Sequence, residues 1–203
     1  MQKLSLCILL LLCACAPINP TVMTEEKSVK IRHLALGDSY TIGESVDEAE
    51  RWSNQLADFL KAGGIPTEVT IIAKTGWTTN ELWDGIKATQ ITPPYDLVSL
   101  LIGVNNQYRG YDINEYRQQF VFLLNKSIEY AGGNPQRVIV LSIPDWGVTP
   151  FARGQGGERI APAAGRPGPE AAAEWQRMPT EVLVEAARPE RADEGVDPLS
   201  NTR

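Results

Sequence analysis

The sequence predicts an α/β protein with three layers (α/β/α), in which a flavodoxin-like parallel sheet lies between helices. Short apolar segments alternate along the chain with segments whose apolar residues recur at helical spacing. The third strand-like segment, Asp96 to Ile102, is apolar nearly throughout, which indicates a strand covered on both faces. Such an order is typical of a parallel sheet whose functional crevice lies at the carboxyl ends of the strands.

The first half of the predicted domain contains two strands and two helices. In chain order these are a strand from Ile31 to Leu36, a helix on which Trp52, Leu56, Phe59 and Leu60 fall at helical spacing, a strand from Glu68 to Ala73, and a helix from Asn80 to Ala88. The Gly-Gly-Ile-Pro stretch after the first helix ends it, because glycine accepts the left-handed cap and proline cannot continue a helix.

The second half repeats this alternation. The strand Asp96 to Ile102 is followed by a long amphipathic helix, marked by Tyr116, Phe120, Leu123 or Leu124, Ile128 and Ala131, and then by a strand from Arg137 to Ile143. Each strand leads into a loop at the expected functional edge. These loops run from Gly37 to Glu44, from Lys74 to Thr79, from Gly103 to Gly110 and from Pro144 to Phe151.

The amino terminus has the features of a secretory leader. Lys3 precedes an apolar run, Leu4 to Leu12, that is too short to span a bilayer as a stable helix. All three cysteines lie within residues 1–15, so no disulfide is expected in the folded part. Residues 12–15 resemble a bacterial lipobox, which implies lipidation at Cys15, export across the inner membrane and anchoring to the outer membrane or in the periplasm. A plain secretory signal or an uncleaved anchor is the alternative, and residues 16–30 are expected to be a tether.

The formal charge of −6 and the absence of a basic stripe argue against nucleic acid as a partner. Composition changes near Ala152. From there to the end the chain has no lysine, one aromatic residue (Trp175) and frequent Ala, Arg, Gly and Pro. Residues 152–203 are therefore interpreted as a disordered tail or, preferably, as an out-of-frame translation of GC-rich codons.

A Gly37-Asp38-Ser39 tripeptide directly follows the first predicted strand. A serine on a tight turn at a strand end is exposed in the crevice, and its backbone N–H can face a developing oxyanion. Ser39 is thus a candidate nucleophile. A turn or a helix cap uses the same residue types, so the tripeptide alone is weak support.

Two further motifs follow the next two strands, Lys74-Thr75-Gly76-Trp77 and Gly103-Val104-Asn105-Asn106. Together with the Gly-Asp-Ser tripeptide, these motifs resemble blocks of the SGNH/GDSL family of serine esterases. The resemblance covers Ile31 to about Phe151, the range expected to form the hydrolase domain. It implies that Ser39 is the nucleophile and that Ser39, Gly76 and Asn105 form the oxyanion hole. It also implies hydrolysis of a small-molecule, glycan or lipid ester without a cofactor or metal. Asn106 replaces the acidic residue that is usual in the third block.

The family's remaining block, an Asp-x-x-His segment near the carboxyl terminus, has no counterpart here. His33 is the chain's one histidine and lies inside the first predicted strand, roughly 20 Å from Ser39 along an extended chain. A fold lacking this terminal block is expected to be an impaired esterase. The alternative is a non-catalytic surface lipoprotein that binds a glycan or acylated ligand. Asp145 and Trp146 are candidates for lining the substrate cleft, or for a turn and for packing on the sheet edge.

Overall fold

The computed structural model describes residues 30–144 and 173–179. Strands and helices alternate in this part of the chain. The order is β1 (Ile31–Gly37), α1 (Ser39–Ile42), α2 (Trp52–Ala62), β2 (Thr67–Ala73), α3 (Thr79–Ala88), β3 (Leu97–Leu101), α4 (Val104–Tyr108), α5 (Ile113–Tyr130) and β4 (Val138–Val140). Short 3₁₀ turns at Glu48–Glu50 and Pro135–Arg137 and a helical segment at 173–179 complete the described elements.

The four strands form one parallel sheet in the order β2-β1-β3-β4, which confirms the predicted α/β architecture. Successive side chains of a strand point to opposite faces of a sheet. His33 and Leu34 are neighbours on β1, and both are fully buried. Both faces of the central strand are therefore covered. On one face the ring of His33 lies 5.9 Å from that of Trp52 at the start of α2.

The strand register brings three carboxyl ends to the same level. Gly37, the last residue of β1, is paired with Ala73 at the end of β2 and with Leu101 at the end of β3. The loops that follow these three strands consequently leave the sheet side by side. This edge is the one at which ligands bind in open parallel sheets.

The structure differs from the sequence prediction in some elements. β4 ends at Val140 rather than Ile143, because it is a short outer strand of the described sheet and Ile139 is 47% exposed. Phe59, which falls at helical spacing with the apolar residues of α2, is 77% exposed and contributes nothing to the core. Two segments predicted as loops contain the short helices α1 and α4.

Residues 173–179 of the compositionally unusual tail are helical. Trp175 and Met178 from this segment are buried in the main core. The indole ring of Trp175 stacks on the ring of Tyr116 from α5, with centroids 4.6 Å apart. This part of the tail therefore packs as an integral piece of the domain.

Several sequence predictions fall outside the described residues. They are the leader with Cys15, the tether, the cleft candidates Asp145 and Trp146, and the remainder of the tail. Within residues 30–144 and 173–179, no helix combines the length and apolar character that crossing a bilayer requires.

Candidate active site

The nucleophile candidate lies at the start of α1, two residues beyond the end of β1. Ser39 is half-buried and is the first helical residue, with Asp38 as its N-cap. The N–H of Tyr40 donates to the Asp38 carboxylate at 3.0 Å, and those of Thr41 and Ile42 donate to the Asp38 carbonyl. The N–H of Ser39 is therefore the first-turn donor that α1 does not use. No described residue accepts a hydrogen bond from it.

Asp38 is fully buried, and its Oδ2 has no hydrogen-bond partner among the described residues. Burial raises the pKa of this carboxyl from 3.8 to about 7, because removing a carboxylate from water disfavours the charged form, and the N–H of Tyr40 only partly offsets this. The group directly before Ser39 is thus one that changes charge near neutral pH.

Gly76 occupies a β-turn at the end of β2. The N–H of Trp77 donates to the carbonyl of Lys74 at 3.2 Å, and Gly76 has a φ of 85°. A positive φ at the third turn position is typical of a type II turn and favours glycine there. In this turn the Gly76 N–H belongs to the central peptide and makes no turn hydrogen bond, so it can point into the crevice. The hydroxyl of Thr75 binds the carboxylate of Glu44, which follows α1.

Asn105, in α4, is joined directly to this turn. Its Nδ2 donates to the carbonyl of Trp77 at 2.8 Å. An amide nitrogen carries two hydrogens, so one donor of Asn105 remains for another acceptor. The structure therefore places Ser39, Gly76 and Asn105 on three adjacent loops at one sheet edge, and each residue has a donor that binds no acceptor in residues 30–144 or 173–179.

Asn106 stands where the family resemblance predicts an acidic residue. Its side chain links the loops that follow β2 and β3. Its Oδ1 accepts from the N–H of Thr79 at 3.1 Å, and its Nδ2 donates to the Thr79 hydroxyl at 2.8 Å. The hydroxyl in turn donates to Gln119 of α5. Asn106 and Thr79 are fully buried, so this neutral network joins α4 to the start of α3 without burying a charge.

Two glycines allow the loops to approach the sheet this closely. A Cβ on Gly37 would lie 2.5 Å from the carbonyl oxygen of Leu101, and one on Gly103 would lie 2.5 Å from Cζ of Tyr116. Gly103 also has a φ of 129°, a backbone conformation that side chains disfavour. Both glycines of the sequence motifs are therefore required by close packing at the strand ends.

His33 does not take part in this arrangement. It lies in the middle of β1, its Nε2 is 2.9 Å from the hydroxyl of Ser99, and its ring is fully buried. Burial lowers the pKa of His33 from 6.5 to about 4, since the protonated ring would be desolvated. It is a core residue, as its position in the sequence indicates.

The sequence reasoning missed Arg109 and Glu81. Nη2 of Arg109 donates to the carbonyl of Gly76 at 2.6 Å, and Nη1 lies 3.2 Å from Oε2 of Glu81. Glu81 also accepts from the N–H and hydroxyl of Thr78 in a capping box at the start of α3. Two signals could have found them: the Thr-x-x-Glu spacing of a capping box, and the position of Arg109 one helical turn after Asn105.

Among the residues that the structure describes, there is no group of three or more His, Cys, Asp or Glu side chains that could hold an ion.

The sequence model of the GDSL-like Lipase/Acylhydrolase family matches residues 35–196, and so extends past the point at which the composition changes. No curated protein sequence matches the chain.

Solved structures with a similar fold include three proteins at low sequence identity. AlinE4, an SGNH-hydrolase family esterase, is 21% identical, with a TM-score of 0.53 over 78% of this chain and 72% of the other. TesA is 17% identical, with a TM-score of 0.56 over 76% and 73%. The psychrotrophic esterase EstA from Pseudoalteromonas sp., in a structure inhibited by monoethylphosphonate, is 16% identical, with a TM-score of 0.55 over 76% and 72%. With four fifths of its sequence matched by the family model and its fold shared with these structures, this chain belongs to the GDSL-like lipase/acylhydrolase family.

Proposed function

We propose that the chain carries an ester-hydrolysing site in which Ser39 is the nucleophile. The observation that carries this proposal is the meeting of Ser39, Gly76 and Asn105 at one sheet edge, each with a donor that no residue in the described part of the chain uses. In the first step the Ser39 oxygen attacks the ester carbonyl, the alcohol leaves, and an acyl-serine forms. Water then attacks the acyl group, releases the acid and restores the hydroxyl.

The oxyanion of each tetrahedral intermediate is expected to accept from the N–H groups of Ser39 and Gly76 and from Nδ2 of Asn105. Donors that are already held in place stabilise developing charge without having to reorganise. The contact from Asn105 to Trp77 supports this role, because it fixes the side-chain amide against the residue that follows Gly76.

Turnover by this chain is proposed to be slow, because no histidine is available to take the Ser39 proton. The chain's one histidine, His33, is buried against Ser99 and Trp52. A positioned general base contributes roughly 10²- to 10⁴-fold to such reactions. An exogenous base should therefore recover part of the missing rate.

Labelling with an activated ethylphosphonate p-nitrophenyl ester tests both statements. The Ser39 oxygen bonds to phosphorus, p-nitrophenolate leaves, and the serine proton goes to solvent or to added imidazole. Intact-protein mass spectrometry should find one slowly formed adduct on the parent chain and none on Ser39→Ala. The Ser45→Ala control, which removes an exposed serine of the next loop, should label like the parent.

Imidazole is expected to accelerate labelling of the parent chain and of Ser45→Ala, without creating an adduct on Ser39→Ala. Equal labelling of Ser39→Ala and the parent would reject Ser39 as nucleophile and favour a binding protein. Fast labelling of the parent chain at a rate that imidazole does not change would contradict the proposal that a general base is missing, because another group of the chain would then be acting as the base.

The reading frame of the tail bears on the same question. Translating the coding DNA beyond the codon for Phe151 in all three frames should reveal an Asp-x-x-His segment if a frame change removed it. If the reading frame is confirmed and no other frame encodes such a segment, the absence of the base is native to this protein.

We also propose that Cys15 carries a lipid and that the domain is held at a membrane facing the periplasm. The support is the lipobox-like sequence at residues 12–15 and the polar stretch that follows it. Expression with a radiolabelled fatty acid should label the parent chain but not Cys15→Ser. Label that persists in Cys15→Ser would contradict the assignment.

A further inference from the structure

Two side chains, one from α4 and one from the residue that caps its carboxyl end, contact consecutive carbonyls of the Gly76 turn. Asn105 Nδ2 donates to the carbonyl of Trp77 at 2.8 Å, and Arg109 Nη2 donates to the carbonyl of Gly76 at 2.6 Å. The two residues are four positions apart, and such residues lie on the same side of a helix. The end of α4 and the turn after β2 are thus held together at two adjacent points.

This joint matters because the two proposed oxyanion donors come from different loops. Gly76 would donate from its backbone and Asn105 from its side chain, so the distance between these donors depends on how the turn sits against α4. The turn hydrogen bond from Trp77 to Lys74 fixes the shape of the turn but not its position. The position is set by contacts across the loops, and Arg109 makes the one to the Gly76 carbonyl.

Arg109 is itself held in place. Its Nη1 lies 3.2 Å from Oε2 of Glu81, and the same oxygen accepts from the N–H of Thr78 at 2.8 Å and from its hydroxyl at 3.0 Å. Burial alone would raise the pKa of Glu81, but the hydrogen bonds from Thr78 and the Arg109 guanidinium lower it overall, so the carboxylate stays charged. The ion pair is about 40% exposed on each side (39% and 43%). An ion pair this exposed adds little stability by itself.

We propose that Arg109 is a positioning residue for the oxyanion site: its guanidinium, bound to the Gly76 carbonyl, sets the Gly76 turn against Asn105. The proposal rests on the function proposed above. The planar guanidinium reaches the Gly76 carbonyl with one nitrogen and Glu81 with the other. A lysine ammonium offers a single point of charge and cannot reproduce both contacts in the same geometry.

Phosphonate labelling in the presence of imidazole measures this role, because the saturation constant KI reports binding and the limiting rate kinact reports formation of the tetrahedral adduct. Arg109→Met should lower kinact about 10- to 100-fold and leave KI near the parent value; losing a whole oxyanion donor costs roughly 10²- to 10³-fold. Arg109→Lys should recover part of this loss. Lys87→Met, which removes an exposed cation paired with Asp84 at 2.9 Å, should leave both constants unchanged.

A purely structural role predicts a different result. If Arg109 only stabilised the fold as a whole, Arg109→Lys would restore neither constant, KI would rise as kinact falls, and the melting temperature would drop. That outcome, or an Arg109→Met chain that labels at the parent rate, would overturn the proposal.

NMR of the ¹⁵N-labelled protein separates this proposal from the one on which it rests. If the parent chain shows no Ser39-dependent adduct, the proposed function fails, but the Gly76 amide still reports the turn. Arg109→Met should shift the Gly76 and Trp77 amide resonances and speed hydrogen exchange at Trp77, whose N–H makes the turn hydrogen bond, whereas Lys87→Met should change neither. Unmoved resonances in Arg109→Met would overturn the positioning role independently of any reaction.

Discussion

Asn106 links the loops after β2 and β3 with an uncharged side chain. It accepts from the N–H of Thr79 and donates to the Thr79 hydroxyl, which in turn donates to Gln119. An aspartate at this position would keep the acceptor but lose the donor. Because the hydroxyl has a single hydrogen, either the carboxylate or the Gln119 oxygen would then go without it. Only an amide at this position can both accept from the Thr79 N–H and donate to the Thr79 hydroxyl, which leaves the hydroxyl hydrogen for Gln119.

Asn106→Asp is therefore expected to lower the free energy of unfolding at pH 7 by at least about 1–3 kcal/mol, the cost of an unsatisfied buried polar group, because burying a carboxylate costs more than burying a neutral group. Urea unfolding followed by circular dichroism measures it. Asn114→Asp makes the same change in charge at an exposed site in the first turn of α5, where a negative charge suits the helix dipole. Asn114→Asp should be neutral, and equal losses in the two variants would contradict the network.

The residues of the candidate site were predictable to different degrees. Ser39, Gly76 and Asn105 each closely follow an apolar strand, so the sequence pattern alone is enough to place them at one edge of the sheet. Arg109 and Glu81 were not identified, because a contact between loops depends on how α4 is turned relative to α3, which no local pattern encodes. Glu44 was missed for the same reason, since it reaches Thr75 from a different strand end.

At the level of elements, the first three strands were predicted best. β1 and β2 begin and end within a residue of the predicted bounds, and β3 lies inside them, because apolar runs bounded by glycine or polar residues leave little choice of register. β4 was predicted too long, since its apolar run continues past the point at which pairing with β3 ends. Helical spacing also grouped Phe59 with its apolar neighbours, although no element in the described residues covers it.

The helical segment at 173–179 was obscured by composition. Ala, Gly, Arg and Pro dominate the surrounding sequence, so two apolar residues three positions apart carried little weight. Trp175 nevertheless stacks on Tyr116, and Met178 is fully buried in the same core. Tyr116 also donates to the carbonyl of Ile102 at 2.9 Å, so the segment packs on the residue that supports the end of β3.

Trp175→Ala should consequently destabilise the domain by about 3–5 kcal/mol, the usual cost of truncating a buried aromatic side chain. Phe59→Ala removes a ring that is 77% exposed and should change stability by less than about 0.5 kcal/mol. Thermal unfolding of the two variants beside the parent measures this difference. Equal melting temperatures would mean that the segment contributes nothing to the folded state.

At the scale of the whole molecule, two buried ionisable groups, His33 on β1 and Asp38 just after it, have opposite effects on how stability changes with pH. Burial raises the pKa of Asp38 from 3.8 to about 7 and lowers that of His33 from 6.5 to about 4. Between about pH 4 and 6.5 the folded state holds one proton more than the unfolded state at Asp38 and one fewer at His33. Rising pH therefore destabilises the fold through Asp38 and stabilises it through His33, and the two effects nearly cancel in this window.

Single replacements should reveal each effect. As pH rises from 4 to 6.5, the free energy of unfolding of Asp38→Asn should rise relative to that of the parent, and that of His33→Gln should fall. Each change is at most about 1.4 kcal/mol per pH unit. Both replacements keep a hydrogen-bonding amide, for the N–H of Tyr40 and the hydroxyl of Ser99 respectively.

Urea unfolding at several pH values, compared as variant minus parent, removes the background from all other groups. The double variant should run parallel to the parent, because both opposing protons are then absent. If each single variant already runs parallel to the parent, neither group has a shifted pKa in the folded state. If only His33→Gln deviates, then His33 is the buried group that titrates and the carboxyl before Ser39 is solvated. In that case the nucleophile loop would be open to water at its base, and the crevice would be wetter than the packing of Asp38 implies.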